Sequence, residues 1–520
     1  MVKERSLIKN TAIVGAGTFL SRITGLLREI LVSSMFGASW VTDVFFVAYT
    51  IPNLLRRLFA EGALSTSVVP VFSQYSEKSH QESRKFIYSV FTGLTLVVSV
   101  VCIIGIAFSP WIVKMVGIGF RSEPEKIQMA THMTRIMFPF LLIISWSALV
   151  MGILNTIHIF SWSAIAPVFF NAGTILTLLL FKAFAGPYSL AIGVLIGGIG
   201  QFVIQLYPFY KKGYALRFFK RFWSDPGFRE VIRLMLPVTL ALAVGQLNTL
   251  VDRIIASTCQ EGAVSALYYA DRLLELPLGI FGIALSTAIL PSLSQLVFKN
   301  NPQEWNYTFT QGIRLVLFIM IPITSYLAIF RNEAIRLIYE RGMFDANATQ
   351  MTAQSLLFYV PGLVFFSMNH IITKAFYSLK DTVTPVRISV IMVGVNVILD
   401  LLLVRYFSFS GLALATSLVA VLNCICLFYF LKRKHTFYKK DRTIYSWLVK
   451  IVILNLLFIG FCWGILHLVQ NLQSKASLLA FFGISLVVFC LIYILLSQSM
   501  GLKEGKSIWS FIRRNLGGKG

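Results

Sequence analysis

SRITGLLREILVSSMFGASWVTDVFFVAYTIPNLLRRLFAEGALSTSVVPVFSQ, residues 21 to 74, sets Arg22, Arg28, Glu29, Asp43, Arg56, Arg57 and Glu61 among residues apolar enough to enter a bilayer. An ionised side chain near the bilayer centre costs about 2.5–3.5 kcal/mol on insertion scales. Charges that expensive face a water-filled cavity or a partner, so the cluster is a candidate functional site. Most other charged residues fall where loops are expected.

The rest of the chain is apolar on the same scale. Of 520 residues 57% are hydrophobic and only 13% charged, against about 25% charged in soluble domains. Runs of roughly 20 apolar residues, each long enough for a ~30 Å hydrocarbon core, recur throughout. They are continuous rather than alternating with period two, which excludes a β-barrel. The expected fold is an all-α polytopic membrane protein of about fourteen transmembrane helices. The start, MVKERSLIKNTAIVGAGTFL, mimics a signal peptide but lacks an A-x-A site and runs on through Arg22, so it reads as an uncleaved first span.

The formal charge of +24 does not point to nucleic acid, because its distribution is that of a membrane topology. About 26 Lys and Arg fall in one set of alternate loops and tails and about 8 in the other, the positive-inside asymmetry. An even number of spans puts both termini on the basic, cytoplasmic side. The loop Lys211 to Arg229 lies on the same face. Within it Leu216 to Trp223 alternates basic residues with Phe and Trp, which suits either a short interfacial helix on anionic lipid or a plain basic loop.

An internal repeat is visible. Ala63-Leu64-Ser65-Thr66 with Pro70, Ser73 and Gln74 recurs 221 residues later as Ala284-Leu285-Ser286-Thr287 with Pro291, Ser294 and Gln295. The chain therefore reads as two pseudo-symmetric six-helix lobes, residues 1–222 and 223–440, followed by two additional spans and a basic tail, 441–520. Both lobes start from one side, so the repeat is parallel. Transporters built this way bind substrate between the halves and rock one against the other.

Two constellations carry chemistry. The first is the arginine-rich set of residues 22–61, joined from the second lobe by Arg272, with Asp271 and Glu275, in YYADRLLELP. Guanidinium groups lining one cavity would make an anion site, because each fork donates two hydrogen bonds to phosphate oxygens. Arg56 and Arg57 also suit snorkelling at an interface. The second is Asp252, with Asn396 and Asp400 one helical turn apart, and Thr416 in the next span. These oxygens suit a Na⁺ ion, a proton site or a polar seam between helices. Gly193 and Gly197 form a GxxxG that close packing explains.

Six cysteines show no CxxC spacing, so neither a disulfide framework nor zinc is indicated. No DxD pair, HExxH, P-loop or GxSxG stands in a loop. The expectation is a transporter and not an enzyme, with no cofactor beyond the candidate Na⁺.

The stretches SRITGLLREILVSSMFGAS, TDVFFVAYTIPNLLRRLFAEGALS, YYADRLLELPLGIFGIALSTAILPSLS, ERGMF and AFYSLKDTVTPVRIS resemble the MurJ (MviN) family of lipid II flippases, in the MOP exporter superfamily. The resemblance implies a MATE-like arrangement of two lobes. It implies that the undecaprenyl-pyrophosphate-linked peptidoglycan precursor, lipid II, is moved from the inner to the outer leaflet by alternating access. It carries cavity or gate roles onto Arg22, Arg28, Glu29, Asp43, Arg56, Arg57, Glu61 and Arg272. It also implies a family sodium site at Asp252, Asn396, Asp400 and Thr416, with Leu412 as a backbone ligand, and a lipid-tail groove in the last two spans. Glu29 stands where some members carry Asp. Membrane lipids and the cell-wall synthesis machinery are the other partners expected. The alternative is a related exporter of another polyprenyl-linked oligosaccharide or of drugs. A membrane enzyme acting on polyprenyl phosphate would need a carboxylate pair or a basic-plus-His loop, and neither stands in the sequence.

Overall fold

The computed structural model describes residues 2–438, 443–470, 475–506 and 509–510; the side chains of residues 2–13, 60–62 and 467–470, among others, lie outside that description. Among the described residues the chain is helical and contains no strand. The first repeat comprises α1 (Val2–Phe36), α2 (Trp40–Arg56), a π-helical segment (Arg57–Leu64), α3 (Ser65–Lys78), α4 (His80–Ala107), α5 (Ser109–Val116), α6 (Pro124–Thr156), α7 (Phe160–Ala185) and α8 (Ser189–Lys211). The second comprises α9 (Pro226–Ala256), α10 (Ala263–Pro277), a π-helical segment (Leu278–Ile283), α11 (Ala284–Phe298), α12 (Pro302–Ile329), α13 (Arg331–Ile338), α14 (Ala346–Ser378), α15 (Val383–Phe407) and α16 (Ser410–Lys434). Two further helices follow, α17 (Thr443–Gln470) and α18 (Lys475–Ser499).

The two series match element for element at displacements close to that of the sequence repeat. The π-helical segments begin at Arg57 and Leu278, 221 residues apart. Such helices make up well under 1% of residues in proteins, so a second one at the equivalent place marks inherited backbone geometry. Caps recur too: the Ser79 hydroxyl accepts from the Glu82 N–H at the start of α4, and Asn301 accepts from the Glu304 N–H at the start of α12. Each satisfies one of the donors that a helix start leaves unpaired.

Among the described residues ten stretches are long and apolar enough to cross a membrane, and one of them, Phe160–Lys211, contains both α7 and α8. The remaining long helical stretches are α1, α2 through α3, and α9. These carry Arg22, Arg28, Asp43, Arg56, Arg57 and Asp252, the ionisable residues that the hydropathy pattern makes exceptional.

The chain forms two compact units, Met1–Ser265 with Arg341–Asp345, and Ala266–Glu340 with Ala346–Gly520. The first unit thus extends beyond its own repeat, because α9 packs against the π-helical segment, α3 and α4. Within it, α7 lies between α1 and α8. The GxxxG of α8 makes the α7–α8 approach possible: a Cβ on Gly197 would lie 2.6 Å from the Phe170 carbonyl oxygen and 2.7 Å from Thr174 Oγ1. Replacing Gly197 with Val is expected to push α8 off α7 at a cost of about 1–3 kcal/mol, seen as a lower thermal midpoint in detergent. An unchanged midpoint would mean that the helices relax around the added carbon atoms.

In the second unit α14 packs against α11, α12 and α16, and α17 and α18 attach to α12 and α13. Two polar stitches hold the appended pair. Asn455 Nδ2 donates to Ser325 Oγ at 2.9 Å, and the Tyr326 and Ser485 hydroxyls lie 3.0 Å apart. Lipid offers no hydrophobic drive for helix pairing, so such stitches and close ring contacts supply the association. Tyr326, Phe330 and Phe489 provide those rings.

The Leu216–Trp223 stretch is not the interfacial helix that the alternation allowed. It is an irregular strap with one short 3₁₀ turn at Phe222–Ser224. Its backbone is committed elsewhere: the Phe219 N–H donates to Thr92 Oγ1 on α4 at 2.9 Å. Asp225 then caps α9 by accepting from the Gly227 and Phe228 N–H groups.

Candidate functional site

The site residues divide between the units. Arg22, Arg28 and Glu29 on α1, Asp43 and Arg56 on α2, Arg57 at the head of the π-helical segment and Asp252 on α9 belong to the first. Arg272 on α10, Asn396 and Asp400 on α15, and Leu412 and Thr416 on α16 belong to the second. The Glu61 side chain lies outside the described residues.

On α1 the Arg28 guanidinium pairs with the Glu29 carboxylate, their side chains 16% and 6% exposed. The cation also stands over the Phe170 ring of α7, 5.5 Å from its centroid. Burial strengthens both interactions, since less water screens them. The pair holds a cation and its counter-charge together on a largely buried face of α1. Asn171 of α7 fixes the register of α1, donating through Nδ2 to the Ser21 carbonyl and to Thr24 Oγ1, each at 3.1 Å. Arg22 lies between the two clasped residues and is half-buried.

Arg57 Nη1 donates to Gln246 Oε1 on α9 at 3.3 Å, and Arg56 Nε donates to Asn53 Oδ1 at 3.1 Å. Arg57 therefore bonds a residue of another helix, beyond simple snorkelling. In the second unit Arg272 bonds Glu275 Oε2 at 2.5 Å and Tyr268 Oη at 3.3 Å, with its cation over the Tyr268 ring.

Asp43 has a different environment from the arginines. Its carboxylate is buried and accepts from the Gly262 N–H at 2.6 Å, the Ser265 N–H at 2.8 Å and the Ser265 hydroxyl at 2.6 Å. Ser265 Oγ lies 2.8 Å from Thr42 Oγ1 as well. The carboxylate thus seats on the free N–H groups at the start of α10, where backbone donors and the helix dipole both favour an anion. The same end carries three more ties within the first unit. The Met343 N–H donates to the Ser34 carbonyl at 2.9 Å, the Trp40 N–H donates to Glu261 Oε1 at 3.1 Å, and the Gly119 N–H donates to Ser257 Oγ at 3.2 Å. Gly37 must be glycine here, with φ +70° beside the Met343 carbonyl.

The sequence reading missed Thr42, Gly262 and Ser265 as partners. The signal existed, because Ser265 follows Asp43 by 222 residues, almost the repeat displacement. A second missed cluster joins the α14–α15 loop to the end of α16. Asp381 accepts from the Thr384 N–H and hydroxyl, and Lys434 and His435 lie within 3.8 and 3.4 Å of Oδ2. Partial burial raises the Asp381 carboxyl, but the Thr384 donors, His435 and Lys434 outweigh it and hold the group below the ordinary carboxylate range.

Asn396 and Asp400 are buried on one face of α15, the amide donating to Asp400 Oδ2 at 2.7 Å. On the adjacent α16 the Thr416 hydroxyl donates to the Leu412 carbonyl at 3.0 Å. Carboxylate, amide, carbonyl and hydroxyl oxygens are the hard donors that an alkali cation takes, so this donor set fits Na⁺. Among the described residues no cluster of three or more His, Cys, Asp or Glu side chains gathers for a transition metal.

Residues 32–484 match the family model described as "Lipid II flippase MurJ". The probable lipid II flippase MurJ of Vibrio cholerae serotype O1 is 36% identical over 452 residues, 85% of this chain and 86% of that protein. The lipid II flippase MurJ of Burkholderia cenocepacia is 36% identical over 440 residues, 82% of this chain and 84% of that one. Among solved structures, a lipid II flippase MurJ in an inward closed conformation superposes with a TM-score of 0.79 at 29% identity, covering 94% of this chain and 98% of that chain. An inward-facing MATE-family multidrug transporter of the MOP superfamily superposes with a TM-score of 0.67 at 14% identity, covering 80% and 94%, which shows a shared fold alone. The chain belongs to the MurJ family of lipid II flippases.

Proposed function

We propose that this protein moves lipid II from the inner to the outer leaflet of the bacterial plasma membrane by alternating access, with no covalent step. The observation that carries the reading is the Arg28–Glu29 pair, an ionised couple kept inside a membrane-spanning helix and aimed by Phe170. A lipid-linked pyrophosphate is the kind of acceptor for which such a guanidinium is suited. On this reading Arg22 and Arg28 bind the pyrophosphate, Glu29 holds Arg28 when substrate is absent, and Arg56, Arg57 and Glu61 border its path, while Arg272 keeps the cavity or gate role that the family resemblance carries onto it. Asp43 acts separately, as a latch at one end of the bundle. With that end outside the cell and both termini in the cytoplasm, a reading that the charge asymmetry of the loops supports, the cell-wall synthesis machinery would supply substrate from the cytoplasmic side.

Asn396, Asp400, Thr416 and the Leu412 carbonyl are the oxygens that would hold Na⁺, whose charge would neutralise the buried Asp400 carboxylate. Asp252 is assigned to cation binding by the family resemblance. Replacing Asp400 with Asn is expected to weaken Na⁺-dependent protection from thermal unfolding at least tenfold in apparent affinity. An unaltered Na⁺ response would remove the assignment.

Translocation of labelled lipid II in proteoliposomes, beside a drug-efflux assay on the same preparation, tests the proposal. Lipid II should cross and organic cations should not. Drug efflux without lipid II movement would favour the multidrug alternative.

A further inference from the structure

One face of α16 ties that helix to α14 and has no part in the reading above. The Ser417 hydroxyl, on a residue only 3% exposed, donates to the Phe358 carbonyl at 2.6 Å and lies 3.1 Å from the Tyr359 carbonyl oxygen. Three residues on, the Ala420 carbonyl accepts from Asn369 Nδ2 of α14 at 3.0 Å. Ala413, Ser417, Ala420 and Cys424 are all buried and recur at helical spacing, so they form one stripe turned to α14.

Ser417 meets α14 where that helix is weakest. Pro361 stands inside α14 and offers no N–H to the Leu357 carbonyl, its partner in a continuous helix. A proline in that position bends a helix, and in a membrane the loosened carbonyls must find donors within the protein. Ser417 supplies one to the next two carbonyls along. Gly362 lets it come close: a Cβ there would lie 2.7 Å from Ser417 Oγ and 3.0 Å from Ser417 Cα. Serine and glycine thus make a joint between the bend of α14 and the body of α16.

The same turns of α16 hold two of the groups assigned above to Na⁺. Thr416 precedes Ser417, and Leu412 lies one turn before Thr416, so both stand about 100° round the helix from the stripe on α14. On their other side Gly411 meets α15, where an added Cβ would lie 2.4 Å from the Leu403 carbonyl oxygen. Leu412 and Thr416 are therefore set between the contact with α14 and the contact with α15, the helix that carries Asn396 and Asp400. Any roll of α16 about its axis would carry the Leu412 carbonyl and the Thr416 hydroxyl together, and the bonds from Ser417 and Asn369 resist that roll.

We infer that Ser417 is a positioning residue for the cation site: it fixes the rotation of α16 against α14 and so aims Leu412 and Thr416. The inference rests on the Na⁺ reading given above. Residues that orient metal ligands without touching the metal contribute about 10–100-fold in affinity, and Ser417 does so through the helix it holds.

Thermal unfolding of the detergent-purified full-length protein, titrated with NaCl against choline chloride at constant ionic strength, tests this. In the parent, Na⁺ should raise the midpoint as binding to the folded state requires. Ser417→Ala should raise the half-saturating Na⁺ concentration about tenfold. Ser417→Thr keeps a hydroxyl for the same carbonyls and should stay near the parent. Gly362→Ala crowds the hydroxyl off α14 without removing it; it should shift half-saturation in the same direction, and it serves alone if Ser417→Ala does not fold. A lower midpoint in choline with an unmoved half-saturation point would reduce Ser417 to helix packing and overturn the inference. No Na⁺ protection in the parent would instead remove the cation reading itself, and this inference with it.

Discussion

Arg28→Ala is expected to abolish growth rescue in cells depleted of their own flippase and to lower lipid II translocation by roughly 10²–10⁴-fold. A hydrogen bond to a charged group contributes about 1.5–3 kcal/mol, and a guanidinium fork gives two such bonds to a pyrophosphate. Losing both is about 3–6 kcal/mol, from which the rate range follows at 1.36 kcal/mol per factor of ten. Arg28→Lys should recover little, because an ammonium is a point charge without the planar fork. A purely structural defect is separable: removing Arg28 alone takes a cation away from the buried Glu29 carboxylate, which by itself destabilises. The double variant Arg28→Ala, Glu29→Ala should therefore restore thermal stability and membrane level but not translocation. Recovery of transport in the double variant would reassign Arg28 to folding.

Asp43→Ala is the second large effect, and it concerns conformation and not substrate. The substitution strips acceptors from the Gly262 and Ser265 N–H groups, both held at a buried helix start. Each buried donor left unmatched costs about 1–3 kcal/mol, so the state in which these ends are joined loses roughly 2–6 kcal/mol. At 1.4 kcal/mol per factor of ten, even the lower limit shifts a two-state population about 30-fold. A cysteine introduced at Thr258, exposed on the joined end, should then label faster with a membrane-impermeant maleimide, and growth rescue should fail. Asp43→Asn keeps one acceptor oxygen and should fall between parent and Ala. Labelling and growth like the parent in Asp43→Ala would show that the remaining ties at Ser34, Trp40 and Gly119 suffice.

These two residues also differ in how far sequence alone could place them. Arg28 stands out because an arginine in an apolar helix needs a reason, and its partner Glu29 is the next residue. Asp43 stood out on the same grounds, yet its partners lie 219 and 222 residues away. Only the displacement between repeats hinted at them.

What the sequence determined by itself was whatever depends on local composition and period. Apolar runs long enough for a bilayer required helices, and the recurrence of ALST with Pro, Ser and Gln required two equivalent halves. The tertiary structure alone decided which donors meet which acceptors. It turned the Leu216–Trp223 alternation into a strap, because Thr92 of α4 claims a backbone N–H that a helix would have used. It extended the first compact unit past its repeat to Ser265, because α9 packs on α3, α4 and the π-helical segment. Hydropathy is a sum over neighbours in the chain, whereas a hydrogen bond or a packed ring selects one partner among hundreds by geometry, and that selection exists only once the chain has folded.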